Sequence, residues 1–129
     1  MTAQDSKRDQ DQILLAAYKR FRWLVDNRAG IKQGTPEFRN RPDYYRLHSE
    51  VAYACQDGLV TAHSGKLLGC QPMTPRDQMR CQRAKKKLAT AGLIELHADD
   101  GGRQVTHLSF TETGAKRAEI LLAEANENG

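Results

Sequence analysis

The chain has 129 residues, of which 39% are hydrophobic and 28% charged, and its formal net charge is +4. This length suits one domain and is too short for a nucleotide-binding enzyme with a separate substrate domain. No uncharged stretch approaches the roughly 18–20 apolar residues that span a membrane, and residues 1–12 lack the pattern of a signal peptide, so we expect a cytoplasmic protein.

The charge is concentrated in one short segment. Residues 76–90 hold six basic residues and one acidic residue, a net charge of +5, whereas residues 91–129 hold three basic and seven acidic residues, a net charge of −4. Such clustering is typical of a nucleic-acid-binding surface. A basic run alone more often forms a solvated helix face, so the surrounding segments decide between the two interpretations.

The N-terminal part predicts a disordered tail over residues 1–10 and a single domain over residues 11–129. The domain begins with an amphipathic helix to about residue 27, whose apolar stripe is Ile13, Leu14, Ala17, Tyr18, Phe21, Leu24 and Val25. This pattern fits a core helix and an intersubunit helix equally well. Residues 27–41 are predicted to form a loop, in which Thr35 and Pro36 can cap and begin a single helical turn.

The next segments predict a helix, a short strand and a second helix. Pro42 begins the first helix, which ends near Gly58. Residues 59–61 are short and β-branched, which favours a small strand. Residues 62–69 are predicted to form a short helix.

Residues 74–90 predict the basic helix itself. Thr74 can cap its start, Pro75 fits its first position, and Asp77 lies where a carboxylate interacts favourably with the helix dipole. Gly92 suits the left-handed position that ends a helix. At 100° per residue, the buried stripe is Cys81, Ala84, Leu88 and Ala91.

The opposite face of this helix is basic. It carries Arg76, Met79, Gln82, Arg83 and Lys86, flanked by Arg80 and Lys87. Cations beside an amide and a thioether suit phosphate contact and base-edge reading in a major groove.

A β-hairpin and a final helix complete the chain. Residues 93–97 and 104–110 predict its two strands, and residues 99–102 form a tight polar turn with Arg103 at the tip. Thr111 can cap a helix over residues 112–126. The fold class predicted is mainly α with a small β-hairpin (α+β), in the element order of a winged helix-turn-helix.

Three motifs carry a resemblance to a known family. Residues 88–95 (LATAGLIE), 99–103 (DDGGR) and 108–114 (LSFTETG) resemble the end of the recognition helix, the wing and the last helical step of MarR-type regulators, and PadR-type regulators share much of this signature. The resemblance implies a winged helix-turn-helix core over residues 42–111, flanked by N- and C-terminal dimerisation helices. It also implies a homodimeric, sequence-specific regulator of double-stranded DNA, acting as a repressor. Whether a small-molecule effector controls its binding stays open.

The site residues follow from the basic face and this resemblance. The expected DNA-binding residues are Thr74, Arg76, Met79, Arg80, Gln82, Arg83, Lys86, Lys87 and Arg103. We expect Met79 and Gln82 to contact bases, and Arg83 to read a guanine edge. We expect phosphates to be held by Arg76, Arg80, Lys86 and Lys87. The low aromatic content of 6% and two apolar terminal helices suggest a core completed across a dimer, through Leu14, Tyr18, Phe21, Leu121 and Leu122.

Other chemistry has little support in the sequence. The four histidines and three cysteines lack metal-ligand spacing, although His97 and His107 could face each other across the hairpin. Cys81 fits a core position better than a sensor, and Cys55 is the better redox candidate. No nucleophile–base motif or phosphate loop is present, so we expect no enzyme, metal or cofactor.

A second class of function stays open. Small winged helices also occur in phage and plasmid proteins for replication, partition or excision. As an assembly module of that kind, the chain would bind protein partners, or DNA without regulating transcription.

Overall fold

The structure is a computed structural model that describes residues 3–62, 74–99 and 104–128. It is mainly helical with a small antiparallel sheet, which confirms the α+β class. The helices are α1 (Ala3–Asp26), α2 (Arg28–Gln33), α3 (Pro36–Arg39), α4 (Tyr44–Ala52), α5 (Pro75–Thr90) and α6 (Glu112–Asn128). The strands are β1 (Val60–Thr61), β2 (Ile94–Asp99) and β3 (Gln104–Phe110), and a π-helical turn, Tyr53–Asp57, extends α4.

The three strands form one sheet in the order β1–β3–β2. β3 pairs antiparallel with both neighbours, placing Val60 opposite Leu108 and Ile94 opposite Phe110. His97 lies opposite His107, as the sequence suggested, and the register shifts just after this pair. β1 therefore ties the chain that follows α4 to the hairpin that follows α5.

Helix α1 begins earlier than the sequence predicted. Residues 3–10 are helical, so the expectation of a disordered tail over residues 1–10 is wrong for the part that the structure describes. The reason is tertiary: Ser6 and Asp9 are buried against α5, where each bonds a basic side chain. These contacts hold the first turns of α1 in a helical conformation, although the residues there are mostly polar.

The predicted loop over residues 27–41 contains two short helices, α2 and α3. Each buries one apolar side chain, Ile31 and Phe38, in a cluster with Leu47 of α4. Gly34 ends α2 in the left-handed conformation, and Pro36 begins α3 as expected. Thr35 stands before α3, but its hydroxyl donates to the carbonyl of Gly30 rather than capping the helix.

The main core lies between α1, α5, α6 and the sheet. Its fully enclosed side chains include Ile13, Leu14, Leu88 and Leu108. Burying such aliphatic side chains stabilises the fold by about 1.5–3 kcal/mol each.

The expected dimerisation residues belong to this same core. Leu14, Tyr18 and Leu121 are buried within the single chain, and Phe21 and Leu122 pack against them while half-buried. The single chain therefore holds these side chains in its own core, and dimerisation through them stays a prediction. The chain completes its own core because α1 packs along both α5 and α6, a pairing that composition does not reveal.

The start of α6 fits tightly onto the end of α5. The backbone N–H of Gly114 donates to the Thr111 hydroxyl at 3.0 Å, which confirms Thr111 as the cap, and that hydroxyl donates to the carbonyl of Gly92. A Cβ on Gly114 would lie 1.7 Å from the carbonyl oxygen of Leu93. The resembling segments 88–95 and 108–114 therefore contact each other directly.

Two sequence predictions lie outside the described residues. These are the short helix over residues 62–69, apart from Ala62, and the hairpin tip with Arg103. Within residues 3–62, 74–99 and 104–128, none of the helices combines the length and apolar character needed to cross a membrane.

Candidate nucleic-acid interface

Helix α5 begins with a complete capping box. The backbone N–H of Asp77 donates to the Thr74 hydroxyl, and the Thr74 backbone N–H donates to the Asp77 carboxylate, both at 3.1 Å. These bonds satisfy two backbone donors that a helix start leaves open. The Thr74 backbone N–H, followed by the Thr74 hydroxyl and the charge of Arg80, lowers the pKa of Asp77 below its usual 3.8.

The other end of α5 is equally well defined. Gly92 has a φ of +77°, which confirms the predicted left-handed position. The N–H of Leu93 donates to the carbonyl of Leu88, and that of Gly92 to Ala89, which is a Schellman motif. Both ends of the helix are therefore fixed by local bonds that the sequence specifies.

The helix turns one side to the core, as the spacing predicted. Cys81, Ala84 and Leu88 are buried, whereas Ala91 at the end of the predicted stripe is exposed. The opposite side is exposed and carries Arg76, Met79, Gln82, Arg83 and Lys86, which we call the α5 face.

The cations of the α5 face are available to a partner. In the described part of the chain, none of Arg76, Arg83 and Lys86 forms an ion pair. Met79 is 51% exposed in the middle of the face. The arrangement places three cations and a polarisable apolar side chain on one uninterrupted helical surface.

Arg80, which we expected to hold phosphates, bonds a carboxylate of its own chain instead. Its Nη2 lies 2.7 Å from Oδ1 of Asp9 and its Nε lies 3.2 Å from Oδ2, so the guanidinium donates to both carboxylate oxygens. Its Nη1 also lies 3.3 Å from Oδ1 of Asp77. The side chain joins α1 to the first turn of α5 instead of standing on the α5 face.

Two further lysines of the basic segment have internal partners. Lys87 is exposed, and its Nζ donates to the Ser6 hydroxyl at 2.7 Å. Lys85 is 7% exposed, and its ammonium donates to the carbonyl of Ala62. Half of the segment's six cations therefore bond within the chain, but of these three only Arg80 is paired with carboxylates.

Asp9 and Ser6 are the residues that the sequence interpretation missed. The signal was present, because extending the stripe of Ile13 and Ala17 backward by four and seven residues reaches Asp9 and Ser6. Lys85 had no comparable signal, since its partner is a backbone carbonyl 23 residues away.

The described histidines and cysteines form no metal site. Among the described residues, no three histidine, cysteine, aspartate or glutamate side chains are grouped to hold a metal ion. The His97 ring bonds Ser109, the His107 ring bonds Thr106, and Cys81 is fully buried, as its predicted core role requires.

None of the family models, curated proteins or solved structures with which the chain was compared matches it. The resemblance to MarR-type regulators therefore stays a prediction, and the site stands on its own geometry.

Proposed function

We propose that the chain is a sequence-specific regulator of double-stranded DNA that places the α5 face in the major groove. The observation that carries this proposal is the exposure of Arg76, Arg83 and Lys86, without ion pairs in the described part of the chain, on a helix capped at both ends. A rigid, cationic helix face of this kind suits a groove whose walls are phosphates.

The dimensions of the face agree with such docking. Arg76 and Lys86 are ten residues apart, or roughly 15 Å along a helix axis. This length matches about four base pairs at 3.4 Å each. The α5 face therefore fits within one passage of a helix through the major groove.

Each side chain on the face has a role that follows from its chemistry. We assign base edges to Met79, Gln82 and Arg83, because a thioether suits a thymine methyl, an amide suits adenine and a guanidinium suits guanine. We assign phosphates to Arg76, Lys86 and Lys87. Thr74 is exposed at the helix start, but its backbone N–H and its hydroxyl both donate to the Asp77 carboxylate, so we assign it no phosphate.

The sheet topology supports a winged helix-turn-helix as the fold that presents α5. β1 lies between α4 and α5 in the chain and pairs with β3 of the hairpin that directly follows α5. In a winged helix, this hairpin reaches the DNA beside the recognition helix. Arg103 keeps its predicted role as the tip residue that contacts the neighbouring backbone or minor groove. Repression and a homodimer stay predictions of the same proposal.

The experiment is a selection of duplex fragments by the purified chain, followed by salt titration on the best fragment. We expect enriched sequences, and a slope of log affinity against log salt of roughly −3 per chain, from about 0.9 for each of the three cations assigned to phosphates. Two-fold symmetric sites would support a homodimer. Absence of enrichment together with salt-insensitive binding contradicts the proposal and favours an assembly module that binds an acidic protein partner.

A further inference from the structure

We propose that Asp9 and Arg80 are positioning residues, which fix how α5 presents its face to DNA and contribute no phosphate contact of their own. This inference rests on the function proposed above. It removes Arg80 from the DNA-contacting set and adds a residue of α1 that is far from it in sequence.

The Asp9–Arg80 ion pair is partly buried and has a strong, directional geometry. The side chain of Asp9 is only 4% exposed, so its carboxylate has little access to water and depends on Arg80 for compensation. Arg80 engages both oxygens in a bidentate geometry, the most directional of ion pairs. A DNA phosphate would have to leave this buried carboxylate uncompensated in order to take Arg80, which is costly.

The pair also reaches the first turn of α5. Arg80 bonds Asp77, whose carboxylate accepts the backbone N–H of Thr74. A continuous series of charge-assisted bonds therefore joins α1 to the residue that caps α5. One end of this series is buried in the main body of the protein and the other is at the start of the helix.

A second contact lies two turns further along α5. Lys87, seven residues after Arg80, donates to Ser6, which is three residues before Asp9. The two contacts hold the same flank of α5 to the same side of α1. Together they restrain rotation of α5 about its own axis.

Such rotation matters because Met79 and Arg83 lie on the same helix, one residue before and three residues after Arg80, and turn with it. Recognition geometry is lost at angular errors of about 10–20°. A loosened Asp9–Arg80 pair should therefore reduce discrimination between DNA sequences more than it reduces non-specific attraction.

The test compares Asp9→Asn with Asp11→Asn. Both remove one negative charge from α1, but Asp11 pairs with Arg117 of α6, away from the α5 face. Binding is measured to a duplex enriched in the selection and to a random-sequence duplex, well below the unfolding temperature. We expect Asp9→Asn to lower the preference for the enriched duplex by about fivefold or more relative to Asp11→Asn, with an unchanged salt slope.

An increase in the DNA affinity of Asp9→Asn would overturn the inference. If Asp9 merely competes with phosphate for Arg80, Asp9→Asn would bind both duplexes more tightly and its salt slope would steepen. Equal preference in Asp9→Asn and Asp11→Asn would likewise overturn it.

A second pair of variants guards against loss of the fold. Arg80→Met alone leaves a buried carboxylate, whereas the double variant Asp9→Leu with Arg80→Met removes both charges and should fold, because apolar replacements of buried pairs are often tolerated. The double variant should melt as one cooperative unit but discriminate poorly between the two duplexes. Wild-type discrimination in the folded double variant contradicts a positioning role.

Different variants distinguish a failure of the proposed function from a failure of the positioning inference. If Arg83→Ala binds the enriched duplex as wild type does, the placement of the α5 face is wrong. If Arg83→Ala binds weakly while Asp9→Asn matches Asp11→Asn, only the positioning inference fails.

Discussion

Gly114 lies so close to the carbonyl of Leu93 that a side chain at this position would have to displace backbone, with Cβ only 1.7 Å from the oxygen. This contact places the first turn of α6 directly against the segment that joins α5 to β2. The glycine is required here by proximity and not by its backbone conformation, since its φ is not positive.

We therefore expect Gly114→Ala to destabilise the fold by about 3 kcal/mol or more, because backbone cannot yield as a flexible side chain can. Gly92→Ala is the matched comparison. Gly92 has a φ of +77°, but a Cβ on it would meet nothing within 4 Å, so only strain of about 1–2 kcal/mol applies. Denaturant unfolding of both variants measures the difference. A smaller loss for Gly114→Ala than for Gly92→Ala would contradict the contact.

Asp77 gives the start of α5 a defined pH dependence. Its pKa is lowered in the folded chain, mainly by the Thr74 backbone N–H, so its ionised form stabilises the fold above pH 3.8. That stabilisation is lost as the pH falls from 3.8 through the lower folded pKa. We expect Asp77→Asn to melt below wild type at neutral pH, and the gap to close in acid.

Thr74→Ala is the comparison for this pH dependence. It removes the hydroxyl but keeps the backbone N–H that bonds Asp77. We expect it to cost about 1 kcal/mol as a lost cap and to retain part of the pH dependence. A pH-independent gap between wild type and Asp77→Asn would show that the capping carboxylate is not the titrating group.

Leu14 tests whether α1 belongs to the core of its own chain. Because Leu14 is 1% exposed within the single chain, Leu14→Ala should cost about 2–5 kcal/mol. The loss should be the same at all protein concentrations, and Ile120→Ala, at a position 51% exposed, should change stability by less than about 0.5 kcal/mol. If the loss of stability in Leu14→Ala became smaller on dilution, Leu14 would belong to a dimer interface.

Lys86 tests the electrostatic part of the proposed interface. Lys86→Ala should weaken binding to every duplex and make the salt slope shallower by about 0.9, the value for one phosphate contact. Lys32→Ala is the control, since Lys32 is also an exposed lysine but lies on α2, which packs on α3 and α4. Equal changes in slope for the two variants would mean that net charge, and not the α5 face, attracts DNA.

Local signals predicted α5 well. Thr74, Pro75 and Asp77 specify its start and Gly92 its end through bonds between residues that are close in sequence. The strand β3 was likewise predicted at its observed bounds, because alternation of side chains is a local pattern.

The features that depend on distant partners were not predictable in this way. Helix α1 extends to Ala3 because Asp9 meets Arg80, 71 residues later. The same contact pairs Arg80 with a carboxylate of its own chain, and Lys85, which had counted only toward the charge of the segment, is buried and bonds the carbonyl of Ala62. Charge counting overestimated the interface because a sequence does not show which cations are paired with carboxylates or buried within the fold.

The most direct test of the central claim is the affinity of Arg83→Ala for the duplex that the wild-type chain enriches. Arg83 is exposed in the α5 face and forms no ion pair in the described part of the chain. The proposal predicts a loss of about 1–3 kcal/mol of specific binding energy, with relaxed preference at one base position. Unchanged affinity and unchanged preference would contradict the claim that α5 reads DNA.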